Sequence, residues 1–354
     1  MAVRKSEMNS KERVLAAIRG ETTDRTPYNF RAEDVTLEKL FRSTPYKNAD
    51  VLMDALNSDI RHINATTPPE RKIGGGGFYQ NYWGERYIYK PSEYGPVRED
   101  IEGALSKAET LDEIKNFTWP KNDDFDYSLI GVQCDKYDGR ALMYGVGDVW
   151  QRPSLVRGMA NFFEDMALRP EFCHCLCDIF TDFYVEDYRR AYKASGGRID
   201  LFLVYSDLGG QHSPFISKEM MRTFVKPYIK RVADAIHDLG AYFFFHSCGM
   251  IYPFIPDLID AGVDVLDPIQ PCTPSMQPEE LAREYGKSLC FHGGIDIQGV
   301  LVNGTPLDVR NEVARYKAAF GYNYICCSSH LLQADTPVEN MLALYDETSE
   351  KLEK

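Results

Sequence analysis

Tyr242-Phe-Phe-Phe-His-Ser-Cys-Gly249 runs four aromatic residues straight into an imidazole and a thiol. Apolar side chains at consecutive rather than alternate positions mark a strand covered on both faces, as in a parallel sheet. Outward from this stretch the pattern repeats at residues 141–145, 201–206, 263–266, 288–292 and 324–328. The run at 201–206 ends in Asp207, that at 263–266 in Asp267 and Gln270, and that at 288–292 in His292 with Asp296 beyond it; the last leads to His330. Helical patterns separate these runs. Ser217 with an early acid opens a helix to about Asp238, where Leu239-Gly240 is the stop, and residues 306–320 and 337–352 each open on a proline.

Strand–helix units repeated in this way predict an α/β fold, either an open doubly wound sheet or a closed (β/α)8 barrel. The chain has no G-x-G-x-x-G turn, which the open sheet normally carries. Polar groups at the carboxyl ends of successive strands are what a barrel requires, because that rim holds the active site. The expected architecture is a (β/α)8 TIM barrel, one domain over residues 1–354, with a helical extension at 1–25 and a hairpin excursion at 72–100. Residues 26–30 are the expected first strand, followed by Arg31, and Ser58-Asp59-Ile60 marks the expected end of the second. The excursion carries a glycine run at 74–77 and Tyr79, Tyr82, Trp83, Tyr87, Tyr89 and Tyr94; it reads as a half-buried hairpin in preference to an aromatic lid.

Composition narrows the class. The 354 residues are 44% hydrophobic and 26% charged, and 40 basic against 53 acidic side chains leave a formal charge of −13. Without a basic tract, a protein that grips nucleic acid is disfavoured. No apolar stretch approaches the roughly 20 residues that span a bilayer, and the opening residues read as a helix ending at Gly20, not as a secretory leader. Nine cysteines without a framework spacing fit reduced thiols. These features describe a soluble cytoplasmic enzyme with no nucleic-acid or membrane partner and leave its oligomeric state open.

His246 and Cys248 stand two positions apart at a strand end, so imidazole and thiol can point the same way, and zinc accepts both. A buried thiol beside a hydrogen-bonded histidine would give the same tetrapeptide. A catalytic zinc needs three protein ligands and an open position, so the third must come from another strand end. His330 is the first choice, with Cys326 and Cys327 as competitors inside a strand where one faces the helices. Asp207, followed by two glycines, reads as a proton donor, a substrate anchor or a further ligand, or else as a loop cap. Arg31, Gln270, His292 and Asp296 are the candidates for holding substrate. Cys173-His-Cys-Leu-Cys177 lies on a helical pattern and reads as buried thiols, and the run at 74–77 lacks the lysine and hydroxyl of a phosphate loop.

Taken together, Asp207-Leu-Gly-Gly-Gln, His246-Ser-Cys-Gly, Pro256-Asp-Leu-Ile-Asp-Ala-Gly-Val-Asp264, His292-Gly-Gly-Ile-Asp296 and Ser329-His-Leu-Leu-Gln-Ala-Asp-Thr-Pro337 resemble the uroporphyrinogen decarboxylase-like superfamily, in particular its corrinoid-dependent methyltransferase branch. The resemblance implies a (β/α)8 barrel, zinc, and a corrinoid carried by a separate protein. Two departures bear on function. The arginine-rich Arg-Gln-Ala-Gly-Arg segment of true decarboxylases is replaced by Asn29-Phe-Arg-Ala-Glu-Asp34, a poor cradle for a polyanionic tetrapyrrole. Branch members that activate the thiol of coenzyme M usually place a cysteine where this chain has His330. Two neutral histidines and one thiolate leave zinc a formal +1 and make it the stronger Lewis acid. The expected reaction is therefore removal of a methyl group from a small O-methylated substrate, an aryl methyl ether for example, onto a Co(I) corrinoid. The alternatives are methylcobamide-dependent transfer to a thiol such as coenzyme M, a metal-free decarboxylase, and a non-enzymatic scaffold for a corrinoid protein. The chain lacks the Asp-x-His-x-x-Gly cobalamin signature, so the corrinoid is expected on the partner.

Overall fold

In the computed structural model, residues 8–93 and 95–346 are described. The strands are β1 (Ile60–Ile63), β2 (Arg71–Ile73), β3 (Phe78–Gln80), β4 (Arg86–Ser92), β5 (Gly95–Glu102), β6 (Ala141–Gly147), β7 (Leu201–Tyr205), β8 (Tyr242–His246), β9 (Val265–Ile269), β10 (Cys290–Ile295) and β11 (Tyr324–Ser328). Seven of them form one sheet in the order β1-β6-β7-β8-β9-β10-β11, with every neighbouring pair parallel. The ring is completed by an extended segment around Tyr28. This residue makes isolated parallel bridges to Cys326 on one edge and Ser58 on the other, where Asn29 N–H donates to Cys326 O at 3.0 Å and Asp59 N–H to Tyr28 O at 2.7 Å. The expected first strand at 26–30 thus occupies its place in the barrel through single bridges.

Strand parity sets what each residue faces. Ile60, Ala141, Met143, Leu201, Leu203, Phe244, Val265, Cys290 and Ile325 pack together inside the barrel, along with Val14 and Ala17. The intervening Phe243, Phe245, Leu266, Phe291 and Cys326 belong to the larger core under the helices. Continuous apolar runs were therefore needed, since each strand buries both faces. Each such side chain contributes roughly 1.5–3 kcal/mol by leaving water.

Val14 and Ala17 come from the helix Ser10–Ile18, opened by an Asn9–Glu12 capping box. It lies across the amino end of the barrel. Arg13 reaches Asp59 at 2.7 Å just before β1, and Lys11 N–H donates to Gly139 O just before β6. The rim beyond the carboxyl ends of the strands is left for the site.

Several local expectations are corrected. Ser58 precedes β1 rather than closing it, because its hydroxyl caps Phe30 N–H across the seam at 3.1 Å. Asp267 lies inside β9, since pairing continues past Leu266. The helix expected from Ser217 is two, Lys218–Phe224 and Lys226–Asp238, because Pro227 cannot donate to the preceding turn and crowds it. The terminal helix runs Val338–Leu344, and residues 347–352 of that expectation lie outside the described residues, as do residues 1–7 and Tyr94.

The excursion is a four-stranded antiparallel sheet, β2-β3-β4-β5, instead of a simple hairpin. Trp83, buried in its loop, packs 4.4 Å from Phe180 on the long helix Pro170–Ala194. Cys173 and Cys177 are buried on that same helix. Among the described residues no helix is long and apolar enough to cross a membrane.

Candidate metal centre and cavity

Two residues beyond the buried Phe244, the inward parity of β8 delivers His246 to the carboxyl rim, and Cys248 follows at once in the loop. His246 Nε2 lies 3.4 Å from Cys248 Sγ. One ring nitrogen of His330, just past β11, joins them so that the three ligating atoms lie within 4.8 Å of one another. Among the described residues this is the one group of three or more such side chains able to surround a metal ion.

Behind the group stands Asp267, fully buried. Its carboxylate takes His246 Nδ1 at 2.6 Å, His292 Nδ1 at 2.6 Å, and both terminal nitrogens of Arg31 at 2.9 and 2.8 Å. Burial alone would raise the Asp267 pKa; Arg31 first, then His292 and His246, hold it well below the usual carboxylate range. An ionised Asp267 fixes the Nδ1–H tautomer of His246 and leaves Nε2 as the free donor. His292 is steadied in turn by the Asn29 amide at 3.1 Å.

Asp207, at the end of β7, orients the other ligand. Its Oδ1 accepts Cys248 N–H at 2.8 Å, and its Oδ2 accepts from Gln151 Nε2 at 3.3 Å. The same Oδ1 is 3.8 Å from His246 Nε2. Burial, followed by Asp207 and Asp267, pushes the Cys248 thiol pKa up.

A cavity of about 680 Å³ opens in front of the triad, lined by Arg31, His62, Tyr205, Asp207, His246 and His330 among others. Its apolar lining includes Phe30, Leu37, Met53 and Leu331. Desolvation by the surrounding barrel mouth and then Arg31 lower the His62 pKa, although the side chain itself is exposed toward the cavity. Burial and then His246 likewise lower His330.

The donor set fits zinc. It combines two imidazoles and one thiol, the number a catalytic zinc uses while keeping a position open. His330 Nδ1 is buried without a hydrogen-bond partner, so protein groups leave donor capacity on this ring. The non-ligating nitrogen of His246 is engaged by a carboxylate, the usual support for a metal-bound histidine.

The remaining candidates are distributed differently. Arg31 lines the cavity, but its charge is matched by Asp267. His292 is fully buried behind Asp267. Gln270 turns back to accept Gly249 N–H at 2.8 Å, and Asp296 accepts Gln298 N–H at 2.9 Å; neither is among the cavity-lining residues. Cys326 faces the helices with Tyr28 and Tyr345 in the outer core, whereas Cys327 has the inward parity of Ile325. Arg31 and then His292 hold the Cys327 thiol below its usual pKa against the effect of burial. Asp267 as the common anchor, Asn29, His62 and Tyr205 were not singled out from the sequence. Inward parity, two residues past Val265, Ile60 and Leu203, was the available signal for three of them.

Fold and site together define a parallel (β/α) barrel whose carboxyl rim presents a candidate His/Cys/His ligand set beside an open cavity. The profile of the family described as uroporphyrinogen decarboxylase (URO-D) matches residues 110–350, and the chain belongs to that family. No match was found among curated proteins. Among solved structures, a methyltransferase from Methanosarcina mazei superposes with a TM-score of 0.68 at 16% identity, covering 96% of this chain and 97% of that one. At that identity the likeness establishes the shared fold. A B12-independent methionine synthase from Shewanella sp. W3-18-1 gives a TM-score of 0.41 at 13% identity over 61% of this chain and 64% of that one.

Proposed function

We propose that this chain, as one barrel domain in the cytoplasm, is a zinc-dependent methyltransferase. It takes a methyl group from a small O-methylated substrate, such as an aryl methyl ether, and passes it to the Co(I) corrinoid of a separate partner protein. The observation that carries the reading is the convergence of His246, Cys248 and His330 to within 4.8 Å at the cavity, with Asp267 behind His246 at 2.6 Å. Zinc held by these three residues would supply Lewis acidity toward the heteroatom that carries the methyl group.

The chain's own residues have separable tasks in this scheme. Asp267 keeps His246 in one tautomer, and Arg31 keeps Asp267 ionised. Asp207 orients Cys248 through its backbone N–H and, facing the cavity, is placed to orient or protonate the leaving oxygen. Arg31, Gln270, His292 and Asp296 were candidates for substrate contact; of these Arg31 lines the cavity and would touch substrate through the flank of its guanidinium. The match of Arg31 to Asp267 also weighs against a decarboxylase that must neutralise several substrate carboxylates.

The test is twofold. Purified protein should hold about one zinc per chain and lose it on Cys248→Ser. Methyl transfer is then assayed from aryl methyl ethers to reduced corrinoid protein, and from methylcobamide to coenzyme M. Turnover in the second assay alone overturns the direction proposed.

A further inference from the structure

The charges around the cavity bear on what the substrate carries at its far end. Arg31 is the one arginine or lysine among the lining residues, and both its terminal nitrogens are taken by Asp267. His62 is exposed toward the cavity, and desolvation and then the neighbouring Arg31 charge lower its pKa, disfavouring a cationic imidazole there. Two carboxylates also line the space, Asp207 and Asp34. A divalent cation held by one thiolate and two neutral imidazoles would keep a single positive charge at the reacting end of the cavity, beside Asp207. Asp34, exposed in the first turn of the helix Asp34–Ser43, where the helix dipole offsets it only in part, adds negative charge at the edge of the cavity. The same helix contributes Leu37, and the helix Ala49–Ala55 contributes Met53 to the lining. With Phe30 and Leu331 these give the body of a ligand an apolar wall and offer an anionic substituent no lysine and no unpaired terminal guanidinium nitrogen.

We propose that the cavity selects an uncharged, apolar-bodied methyl ether and rejects its carboxylated counterpart, with Asp34 as a specificity-determining residue. This deepens the proposed function and rests on it. A carboxylate on the ligand would lose its hydration beside a like charge without gaining an arginine or lysine.

The experiment compares meta-methoxyphenol with meta-methoxybenzoate on the zinc-loaded full chain, first by calorimetric binding and then by methyl transfer to reduced corrinoid protein. The phenol should bind about tenfold or more tightly than the benzoate. Asp34→Lys should narrow that gap by about tenfold, chiefly by improving benzoate binding. Equal affinity, or a preference for the benzoate, overturns the proposal while ether demethylation still stands. An unchanged ratio in Asp34→Lys overturns the role of Asp34. Binding of neither ether removes this substrate class and the proposed function with it.

Discussion

The Asp267 carboxylate lies 2.6 Å from Nδ1 of His246, and the opposite nitrogen of that ring is the one that faces Cys248. The pair fixes which nitrogen would be free to ligate a metal ion. Asp267→Asn should therefore weaken zinc binding by about 10–100-fold, read by competition with a chromogenic chelator. Arg31 would be left buried with its charge unmatched, so the variant should also lose roughly 3–5 kcal/mol of stability, measured by urea unfolding. Unchanged zinc affinity would show that the carboxylate has no part in ligation.

The three proposed zinc ligands should not be interchangeable. Cys248→Ser and His330→Ala are expected to reduce bound zinc to a small fraction of wild type, measured by atomic absorption on the purified protein. His330→Cys should keep the metal but lower ether demethylation, because a second thiolate cancels the remaining positive charge and with it much of the Lewis acidity.

Asp207 holds the Cys248 N–H through Oδ1, a bond that an asparagine oxygen can also accept. Asp207→Asn should consequently retain zinc while methyl transfer falls by about 10²–10⁴-fold if the carboxylate supplies or accepts a proton. Steady-state kinetics with parallel metal analysis separates this from simple loss of the loop.

Gly249 has φ of +84°, a conformation that L side chains rarely adopt, and a Cβ there would run into the Gly209 carbonyl. Gly249→Ala should shift the loop that carries Cys248 and cost both zinc affinity and about 1–3 kcal/mol of stability. Zinc titration and thermal unfolding read the two effects.

Away from the ligands, Asp148 is buried, where desolvation raises its pKa to about 7 against the partial relief of Arg152 and the Trp150 and Ser206 hydrogen bonds. A carboxyl whose pKa is higher folded than unfolded stabilises the fold at low pH and loses that contribution as pH rises through the folded value. Stability should thus fall by about 2 kcal/mol between about pH 5 and about pH 7 from this group and level off above that range. Asp148→Asn should flatten that slope in urea titrations across the same range.

The barrel was legible because its strands bury both faces, which forces unbroken apolar runs such as residues 242–245. His246, Cys248 and His330 stood out because they follow such runs at once. The closing segment at Tyr28 was harder to place, since two isolated bridges demand no long β pattern. Asp267 was visible as a polar residue near a strand end but not as an anchor for three partners, because those partners lie far away in the chain. Gln270 and Asp296 illustrate the converse. Both sit near the rim in sequence, yet each side chain satisfies a nearby backbone N–H, and nothing in residue spacing distinguishes that from pointing into a cavity.

The helix Ser10–Ile18 stoppers the amino end of the barrel with Val14 and Ala17. Among the described residues the cavity at the site opens at the opposite end, where the strands finish. In the proposed reaction a small methyl donor and a bulky corrinoid protein would both use that mouth, and so could not arrive in arbitrary order. The small one has to be seated first, since the larger one, once docked, would bar the way.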